Sequence, residues 1–381
     1  MNANDSLANE LGALETPALL VDGPILLENV GSMAARTDRA GVELWPHTKT
    51  HKSTAIAGLQ VEHGARGLTV ATITEAEALA RAGFHDILIA YPPVGEWRLR
   101  RLTQLAATTR LRVALDDESV ACALDDACRQ AGVEIAYLWE IECGTARCGS
   151  LPEPPTAETI ARVAESTRHA RFDGLMAFAG FAYAAPDAEG IRAAAADEGS
   201  AVRTVQMMLA ELGVEARATS VGTTPTTHNL DAEGPISEAR PGNYVFYDAT
   251  QVALGLVPLA RCALSVLGTV VSRPDPRRLI ADTGSKSLSS DRLTSKTGGY
   301  GTVVGHPELN IHQLYEEHAI VTSAEPCDIP IGTRIRIIPN HACTCLNLHD
   351  RINLTENGVV ADVWEIDARG WTSLNGRPAL R

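Results

Sequence analysis

The segment GLTVATITEAEALARAGFHDILIAY, residues 67–91, contains a complete strand–helix–strand pattern. Apolar runs at 67–71 and 86–91 flank an alanine-rich stretch, 74–82, whose apolar residues recur at helical spacing. Short apolar strands separated by amphipathic helices are typical of a parallel sheet, because helices cover both faces of each strand. The segment therefore predicts an α/β fold.

The same alternation continues along the first two thirds of the chain. Eight strand–helix units in sequence match the size of a (β/α)8 TIM barrel. A doubly wound open sheet is the alternative, but eight sequential units favour closure of the sheet. The predicted strands are 42–48, 67–71, 86–91, 111–116, 135–142, 172–179, 218–222 and 243–248, and the clearest helices are 74–82, 118–131, 158–170 and 193–212.

The texture of the sequence changes after Gln251, where helical periodicity largely disappears and turn residues separate β-rich segments. We predict a barrel domain at residues 25–255 and a mainly β C-terminal domain at 256–381. About residues 1–24 are assigned to the β domain, because the strand-like segment 18–21 precedes the first barrel helix. The β-rich segments are 263–271, 279–281, 333–338 and 359–366.

The composition argues against several classes of protein. The 381 residues carry 33 basic and 47 acidic side chains, a formal net charge of −14, which disfavours nucleic acid and anionic membranes as partners. No apolar run approaches the roughly 18 residues of a membrane span, and the polar N-terminus does not resemble a secretory signal. Eight cysteines in so long a chain argue against a disulfide framework. We therefore expect a cytoplasmic protein without a nucleic-acid or membrane partner.

A basic motif, WPHTKTHK at residues 45–52, ends the first predicted strand. Barrel enzymes place their reactive groups at the carboxyl ends of strands. A lysine becomes a nucleophilic amine, able to form a Schiff base, when desolvation or nearby positive charge lowers its pKa. His47, His51 and Lys52 would supply such charge. The alternative is a solvated basic loop, and the pattern alone does not say whether Lys49 or Lys52 reacts.

Two further motifs follow predicted barrel strands. SVGTTPTT, residues 220–227, ends the seventh strand; its glycine lets the backbone approach a phosphate, and its hydroxyls are hydrogen-bond donors. An ordinary loop is the alternative. EIECGTARCG, residues 140–149, ends the fifth strand. Arg147 in this motif would face the ring of a bound cofactor, or else pair with Glu142 at the surface.

A candidate metal site lies in PNHACTC, residues 339–345. In an extended segment, His341 and Cys343 would point to the same face. Imidazole and thiolate together suit Zn²⁺ better than Mn²⁺ or Mg²⁺, which remain alternatives. Two ligands leave positions for water or substrate, as in catalytic metal sites. Cys345 is an alternative ligand, and a buried histidine beside a core cysteine is the alternative without metal.

These motifs together resemble the D-serine dehydratase and D-threonine aldolase family, the metal-dependent branch of the alanine-racemase-like, fold-type III pyridoxal-phosphate (PLP) enzymes. The resemblance implies a (β/α)8 barrel followed by a β domain. It also implies a homodimer in which the β domain of one subunit closes the active site of the other. The matching segments are ETPAL (15–19), PHTKTHK (46–52), CGTARCG (143–149), GTTPT (222–226), RPGNYVFYD (240–248), GHPEL (305–309), EH (317–318) and PNHAC (339–343).

The resemblance assigns roles to individual residues. Lys49, the first lysine of its motif, would carry PLP, and His341 with Cys343 would bind the metal near the substrate hydroxyl. Arg147 and Tyr183 would contact the cofactor. The residues expected to bind its phosphate are Gly222, Thr223 and Thr224.

The resemblance also implies a reaction on a small D-β-hydroxy amino acid. His-x-Cys resembles the D-serine dehydratases, which predicts elimination of water to give a 2-oxo acid and ammonia. Retro-aldol cleavage to glycine and an aldehyde, as in D-threonine aldolase, is the alternative. A non-catalytic PLP-binding barrel would lack the β domain and the metal pair.

One departure concerns the substrate. Met176, Phe178 and Phe181 stand where relatives commonly carry polar groups, which predicts a pocket that accepts larger apolar side chains than that of serine. Whether Lys52, His51 or His318 assists the chemistry is left open by the sequence.

Overall fold

The computed structural model of the protein describes residues 11–292 and 299–370. The outer ends of the predicted β domain, residues 1–10 and 371–381, lie outside the described residues. Within them the chain forms two compact units. One is Met33–Gly242, and the other joins the segment up to Ser32 with Asn243–Arg369.

Strand β1 (Ala18–Asp22) and helix α1 (Gly23–Arg39) precede eight parallel strands that alternate with helices. The strands are β2 (Glu43–Leu44), β3 (Leu68–Val70), β4 (Asp86–Ile89), β5 (Arg110–Leu115), β6 (Ile135–Glu140), β7 (Ala170–Met176), β8 (Ala218–Val221) and β9 (Glu238–Ala239). The helices are α2 (Thr54–Glu62), α3 (Ile73–Arg81), α4 (Glu96–Ala106), α5 (Glu118–Ala131), α6 (Pro154–Ser166), α7 (Ala188–Glu211), α8 (Thr224–Thr227) and α9 (Leu230–Glu233).

The parallel sheet closes on itself. β2 pairs with β9, and a parallel bridge between His47 and Thr69 joins the segment after β2 to β3. The first and last strands are further linked where the His47 backbone N–H donates to the Pro241 carbonyl at 2.9 Å. The predicted (β/α)8 barrel is therefore confirmed.

Alternate residues along the barrel strands face different environments. Leu88, Ala114 and Leu138 form a small buried cluster with Trp45 and Met176. Their neighbours on the same strands belong to a larger buried cluster that also contains helix residues. Because side chains alternate along a strand, the first set fills the barrel interior and the second packs between the sheet and the helices.

The predicted eighth strand, 243–248, is wrong: the eighth barrel strand is β9, and Asn243–Val245 forms a 3₁₀ turn. β9 escapes a search for apolar runs because Glu238 is buried as a charge, with its two carboxylate oxygens 2.6 and 3.0 Å from the Arg112 guanidinium. The segment 243–248 is apolar because it is buried and not because it is extended.

The predicted helix 158–170 is displaced by four residues at each end, since α6 is Pro154–Ser166. Proline is favoured in the first helical turn, where its missing N–H costs no hydrogen bond, so the helix begins before the periodic apolar residues do. Ala170 already belongs to β7.

The second unit is mainly β, as predicted. β1 pairs antiparallel with β10 and parallel with β16, so the strand-like segment at 18–21 lies in its nine-stranded sheet. Its strands are β10 (Leu264–Asp275), β11 (Arg278–Ala281), β12 (Thr302–Val303), β13 (Leu309–Leu314), β14 (Ala319–Ser323), β15 (Arg334–Ile338), β16 (Arg351–Glu356) and β17 (Val359–Glu365). Its short helices are α10 (Ala249–Ala253), α11 (Ser285–Leu288) and α12 (Ala342–Leu346).

Among the described residues, no helix is both long enough and apolar enough to span a membrane.

Candidate functional site

Lys49 lies in a 3₁₀ turn, Thr48–Thr50, that follows β2 at the carboxyl end of the barrel strands. The turn is anchored on both sides. The Thr48 hydroxyl donates to the Thr69 carbonyl at 3.1 Å, and His47 Nδ1 accepts from the Lys49 backbone N–H at 3.4 Å. The Lys49 side chain reaches Phe178, where Nζ lies 5.4 Å from the ring centroid.

The two histidines of the lysine motif do not supply positive charge, so the expectation that they do is wrong. Burial lowers the pKa of His47 well below its usual value, and the charges of Lys49 and Arg240 lower it further. Burial also lowers the pKa of His51 to about 4. His51 instead has a structural role: Nε2 is 3.2 Å from Gln60 Oε1, and Nδ1 accepts from the Ser53 N–H at 3.1 Å.

This burial predicts a contribution of His51 to acid instability. The folded-state pKa of about 4 lies below the ordinary 6.5, so the free energy of unfolding falls as the pH drops through that interval. His51→Gln should reduce the loss of stability between pH 7 and pH 5 by about 2 kcal/mol. Urea unfolding followed by tryptophan fluorescence measures it, with the exposed His63→Gln as control. An unchanged pH dependence in His51→Gln would contradict the prediction.

Lys52 forms an ion pair, with its Nζ 3.6 Å from Glu75 Oε1. His318 is exposed in the other unit, where its carbonyl accepts from the Tyr315 N–H at 2.8 Å.

Arg147 is brought close to Lys49 by the same phenyl ring. Its guanidinium carbon lies 4.6 Å from the Phe178 ring centroid. Its side chain pairs with Glu140, with Nη2 3.4 Å from Oε1, whereas its backbone N–H hydrogen-bonds Glu142. Glu140 is buried at the end of β6, and burial raises its pKa although the charges of Arg147 and Arg240 oppose the rise.

The predicted phosphate loop follows β8 and is buried throughout. Gly222 has φ +103°, and a Cβ at this position would lie 2.8 Å from Thr227 Oγ1 and 3.2 Å from the backbone nitrogen of Arg240. Thr223 caps α8, because its hydroxyl accepts from the Thr226 N–H at 3.2 Å. Only glycine therefore fits this tightly packed turn, and a glycine turn is the kind of backbone that a phosphate can approach closely.

The close packing around Gly222 predicts the effect of adding one methyl group there. Gly222→Ala should weaken PLP binding by roughly tenfold, about 1.4 kcal/mol, because both the backbone angle and the space disfavour a Cβ. Absorbance titration with PLP measures the affinity. Gly213→Ala is the control, since Gly213 also has a positive φ, +76°, but no atom within 4 Å of its Cβ position. Equal PLP affinity in the two variants would contradict the prediction.

The sequence analysis missed Glu198, a fully buried carboxylate on α7. Its Oε1 accepts from the backbone N–H of Ala179 at 2.9 Å and of Gly222 at 3.1 Å, and its Oε2 accepts from the Thr226 hydroxyl at 3.0 Å. It therefore joins the end of β7 to the phosphate loop. A signal was available, because a glutamate lies on the apolar face of α7, four residues before the buried Val202.

Arg240 was also missed. It is buried after β9, where Nη1 donates to Ser220 Oγ and Nη2 donates to the Ala177 carbonyl, both at 2.6 Å. Burial lowers the pKa of its guanidinium, although the carboxylates of Glu198 and Glu238 oppose this. Its position directly after a barrel strand was the signal that could have found it.

The remaining barrel candidates follow β7. Tyr183 lies half-buried in the 3₁₀ turn Gly180–Ala184. Phe178 faces Lys49, and Phe181 packs where a Cβ on Gly144 would be 3.1 Å from its ring. Met176 lies apart from these residues, buried in the interior cluster of the barrel.

His341 and Cys343 lie in the other unit, at the beginning of α12. The prediction that the whole segment is extended is wrong: His341 is extended, but Cys343 lies in the first helical turn. The chain turns here because the buried Asp248 carboxylate accepts from the Ala342 N–H at 2.9 Å. The two side chains nevertheless meet, since the His341 ring hydrogen-bonds Cys343.

The surroundings of Cys343 and Cys345 distinguish these two candidate metal ligands. Burial lowers the pKa of His341, but Cys343, Asp248 and Asp291 together raise it to about 9. Cys345 is fully buried, donates to the Ser287 carbonyl at 3.1 Å, and has a thiol pKa that burial raises far above its usual range. Cys343 is therefore the better source of a thiolate ligand.

The donor chemistry fits a divalent metal bound by few protein ligands. His341 Nδ1 is engaged by Asp291 Oδ2 at 2.8 Å, which leaves Nε2 as the available ligand nitrogen. Within residues 11–292 and 299–370, no group of three or more His, Cys, Asp or Glu side chains is placed to bind a metal. A metal on His341 and Cys343 would therefore keep open positions, as catalytic metals do.

Comparison with known proteins places these features in a family. Residues 21–250 match the family model "Alanine racemase, N-terminal domain", and residues 263–355 match "Putative serine dehydratase domain". D-threonine aldolase of Arthrobacter sp. is 32% identical over 365 residues, 95% of this chain and 94% of that protein. D-serine dehydratase of Dictyostelium discoideum is 31% identical over 373 residues, 90% of this chain and 93% of that protein.

A solved structure gives the same result. A mutant of D-threo-3-hydroxyaspartate dehydratase in the metal-free form has a TM-score of 0.89 and 30% identity, over 95% of this chain and 100% of that chain. The chain therefore belongs to the D-serine dehydratase and D-threonine aldolase family of alanine-racemase-like, PLP-dependent enzymes.

Proposed function

We propose that the protein is a PLP- and metal-dependent lyase that removes water from a D-β-hydroxy amino acid and releases a 2-oxo acid and ammonia. The observation that carries the proposal is the contact between His341 and Cys343, beside a carboxylate that occupies the other ring nitrogen. A thiolate and an imidazole are ligands that Zn²⁺ prefers, which supports zinc as the metal. The structural relative in a metal-free form supports a metal in this branch of the family.

In this proposal Lys49 would hold PLP, and its amine would take the proton from the substrate Cα. Bound PLP supplies an electron sink that stabilises the negative charge left on that carbon. The Phe178 ring lies beside the Lys49 amine, with Nζ 5.4 Å from the ring centroid. Arg147 and Tyr183 orient the cofactor. The residues proposed to hold its phosphate are Gly222, Thr223 and Thr224.

His341 and Cys343 would hold the metal, whose chemistry when bound is Lewis-acid assistance to the departure of the β-hydroxyl group. Asp248 supports both ligands, because its carboxylate fixes the Ala342 N–H between them. By the family resemblance, dehydratases carry a cysteine at the position of Cys343, whereas aldolases carry an aspartate there. This difference favours elimination over carbon–carbon cleavage.

Retro-aldol cleavage to glycine and an aldehyde is the second candidate reaction. The observation that favours it is the 32% identity to D-threonine aldolase of Arthrobacter sp. over 95% of this chain. Both reactions use the same cofactor and the same class of metal, so apart from Cys343 the residues of the site do not separate them.

We propose that the substrate carries an apolar group on Cβ. The Phe178 ring centroid is 5.4 Å from Lys49 Nζ, so a substrate bound beside Lys49 meets a phenyl ring. A ring offers no hydrogen bond to a second polar group and favours apolar contact. The expected order is therefore a D-β-hydroxy amino acid with an alkyl or aryl substituent above D-serine.

Two broader features complete the proposal. The family resemblance supports a homodimer. No disulfide joins the eight cysteines, all of which lie within the described residues, and this supports a reducing compartment such as the cytoplasm.

The test is a product assay on purified protein supplied with PLP and Zn²⁺. A panel of D- and L-β-hydroxy amino acids is offered, and 2-oxo acid, ammonia, glycine and aldehyde are measured in the same reactions. Oxo acid with equal ammonia from D-substrates is the expected result. Glycine with aldehyde would replace the dehydratase by the aldolase, and no product from any D-substrate would overturn both.

A further inference from the structure

Asp291 is tied to the metal-binding segment by both its side chain and its backbone. Its Oδ2 lies 2.8 Å from His341 Nδ1 and accepts from the Thr344 hydroxyl at 2.7 Å. Its carbonyl accepts from the Asn340 side chain at 2.9 Å. Asn340 is buried and donates a second hydrogen bond to the Gly299 carbonyl at 2.8 Å. The carboxylate is therefore held in place independently of the histidine that it contacts.

We propose that Asp291 is a positioning residue that fixes the proton of His341 on Nδ1 and presents Nε2 to the metal. This inference rests on the proposed metal site and adds a residue to it. An imidazole ring has two nitrogens and a broad, nearly two-fold torsion about its last bond, so an unsupported ring samples unproductive orientations. A carboxylate on one nitrogen fixes the tautomer and makes the other a stronger electron donor.

The sequence spacing gives no hint of this role, since Asp291 lies 50 residues before its partner. Thr344 directly follows Cys343 in the chain. Its hydroxyl donates to Asp291 Oδ2, the same oxygen that His341 Nδ1 contacts. The contact with Thr344 provides an alternative explanation, in which Asp291 has only a structural role and holds the first turn of α12. The test must separate these two roles.

The experiment measures Zn²⁺ affinity of the full chain loaded with PLP, by competition with a chromophoric chelator. Asp291→Asn keeps an oxygen that accepts from Nδ1 but loses the charge, and Asp291→Ala loses both. Loss of a partner of this kind typically costs 10–100-fold in metal affinity, so we expect about tenfold for the first variant and about a hundredfold for the second. PLP absorbance should be unchanged in both.

Thr344→Val is the matched control, since it removes the other hydrogen bond to the Asp291 carboxylate and leaves the contact between Asp291 and the His341 ring. It also removes the contacts of the Thr344 hydroxyl with Ser289 and with the His341 carbonyl. It should bind Zn²⁺ as wild type does. Asp275→Asn removes an exposed charge of the same unit and controls for net charge. With Co²⁺ as probe, the thiolate-to-metal absorption band should shift in the Asp291 variants and not in either control.

The outcomes separate this inference from the proposed function. Wild-type Zn²⁺ affinity in Asp291→Ala would overturn the positioning role, as would an equal loss in Thr344→Val. His341→Ala is the reference for the site itself. If that variant binds Zn²⁺ as tightly as wild type, the proposed metal site fails, whatever Asp291 does.

Discussion

Lys49→Ala should lose the visible absorbance of lysine-bound PLP and at least about 10³-fold of the lyase activity, because one amine is proposed to bind the cofactor and to move the α-proton. The structure favours Lys49 for this role. Its turn lies at the carboxyl end of β2, and its Nζ shares the Phe178 ring with Arg147. Absorbance spectra and the product assay, at saturating PLP, measure the two losses.

Lys52→Gln is the matched control, since Lys52 lies in the same motif but is paired with Glu75. It should retain the absorbance and most of the activity. Retention of the absorbance in Lys49→Ala would place the cofactor on another lysine. Its loss in both variants would indicate that the turn, and not the amine, had been damaged.

Cys343→Ala should release the metal and reduce metal-dependent activity by about 10²-fold or more while leaving PLP bound, because the cysteine is proposed to supply one of two protein ligands. Metal content after dialysis, activity before and after chelation, and PLP absorbance measure the three parts of this result. The dissociation of metal loss from PLP retention is the important part, since a misfolded protein would lose both.

Cys345→Ser is the control for this variant. Its hydroxyl keeps the hydrogen bond to the Ser287 carbonyl that the buried thiol makes, so the first turn of α12 should be preserved. We expect wild-type metal content. Activity that survives complete chelation in the wild-type protein would remove the metal from the mechanism, and metal loss in Cys345→Ser alone would exchange the roles of the two cysteines.

The barrel was predictable because its physical cause is local. A strand buried on both faces must be apolar, and a helix that packs on the sheet must repeat its apolar residues every three or four positions. β9 escapes this pattern because Glu238 is buried against a charged partner, Arg112, that lies 126 residues away in the chain. Short apolar strands are visible in a sequence, but a buried ion pair is not.

The site was predictable only where its reactive residues lie close together in the sequence. The motifs around Lys49 and His341 could be identified because reactive residue types cluster there. Asp291 acts from an element distant in sequence, so nothing local marks it. Glu198 also contacts a distant loop, and its only local sign is its place on the apolar face of α7. The charge state of His51 was equally hidden, because burial, which sequence does not report, turned an expected cation into a neutral structural group.

Closure of the barrel has a consequence for how the protein folds. The turn that carries Lys49 is anchored where the His47 N–H meets the Pro241 carbonyl, and β2 pairs with β9. These contacts are among the most distant in sequence within the barrel, and closing so long a loop is entropically costly and kinetically slow. Lys49, the proposed cofactor lysine, should therefore reach its final position only when the last strand docks. A partly folded chain, although rich in helix and sheet, should lack this arrangement.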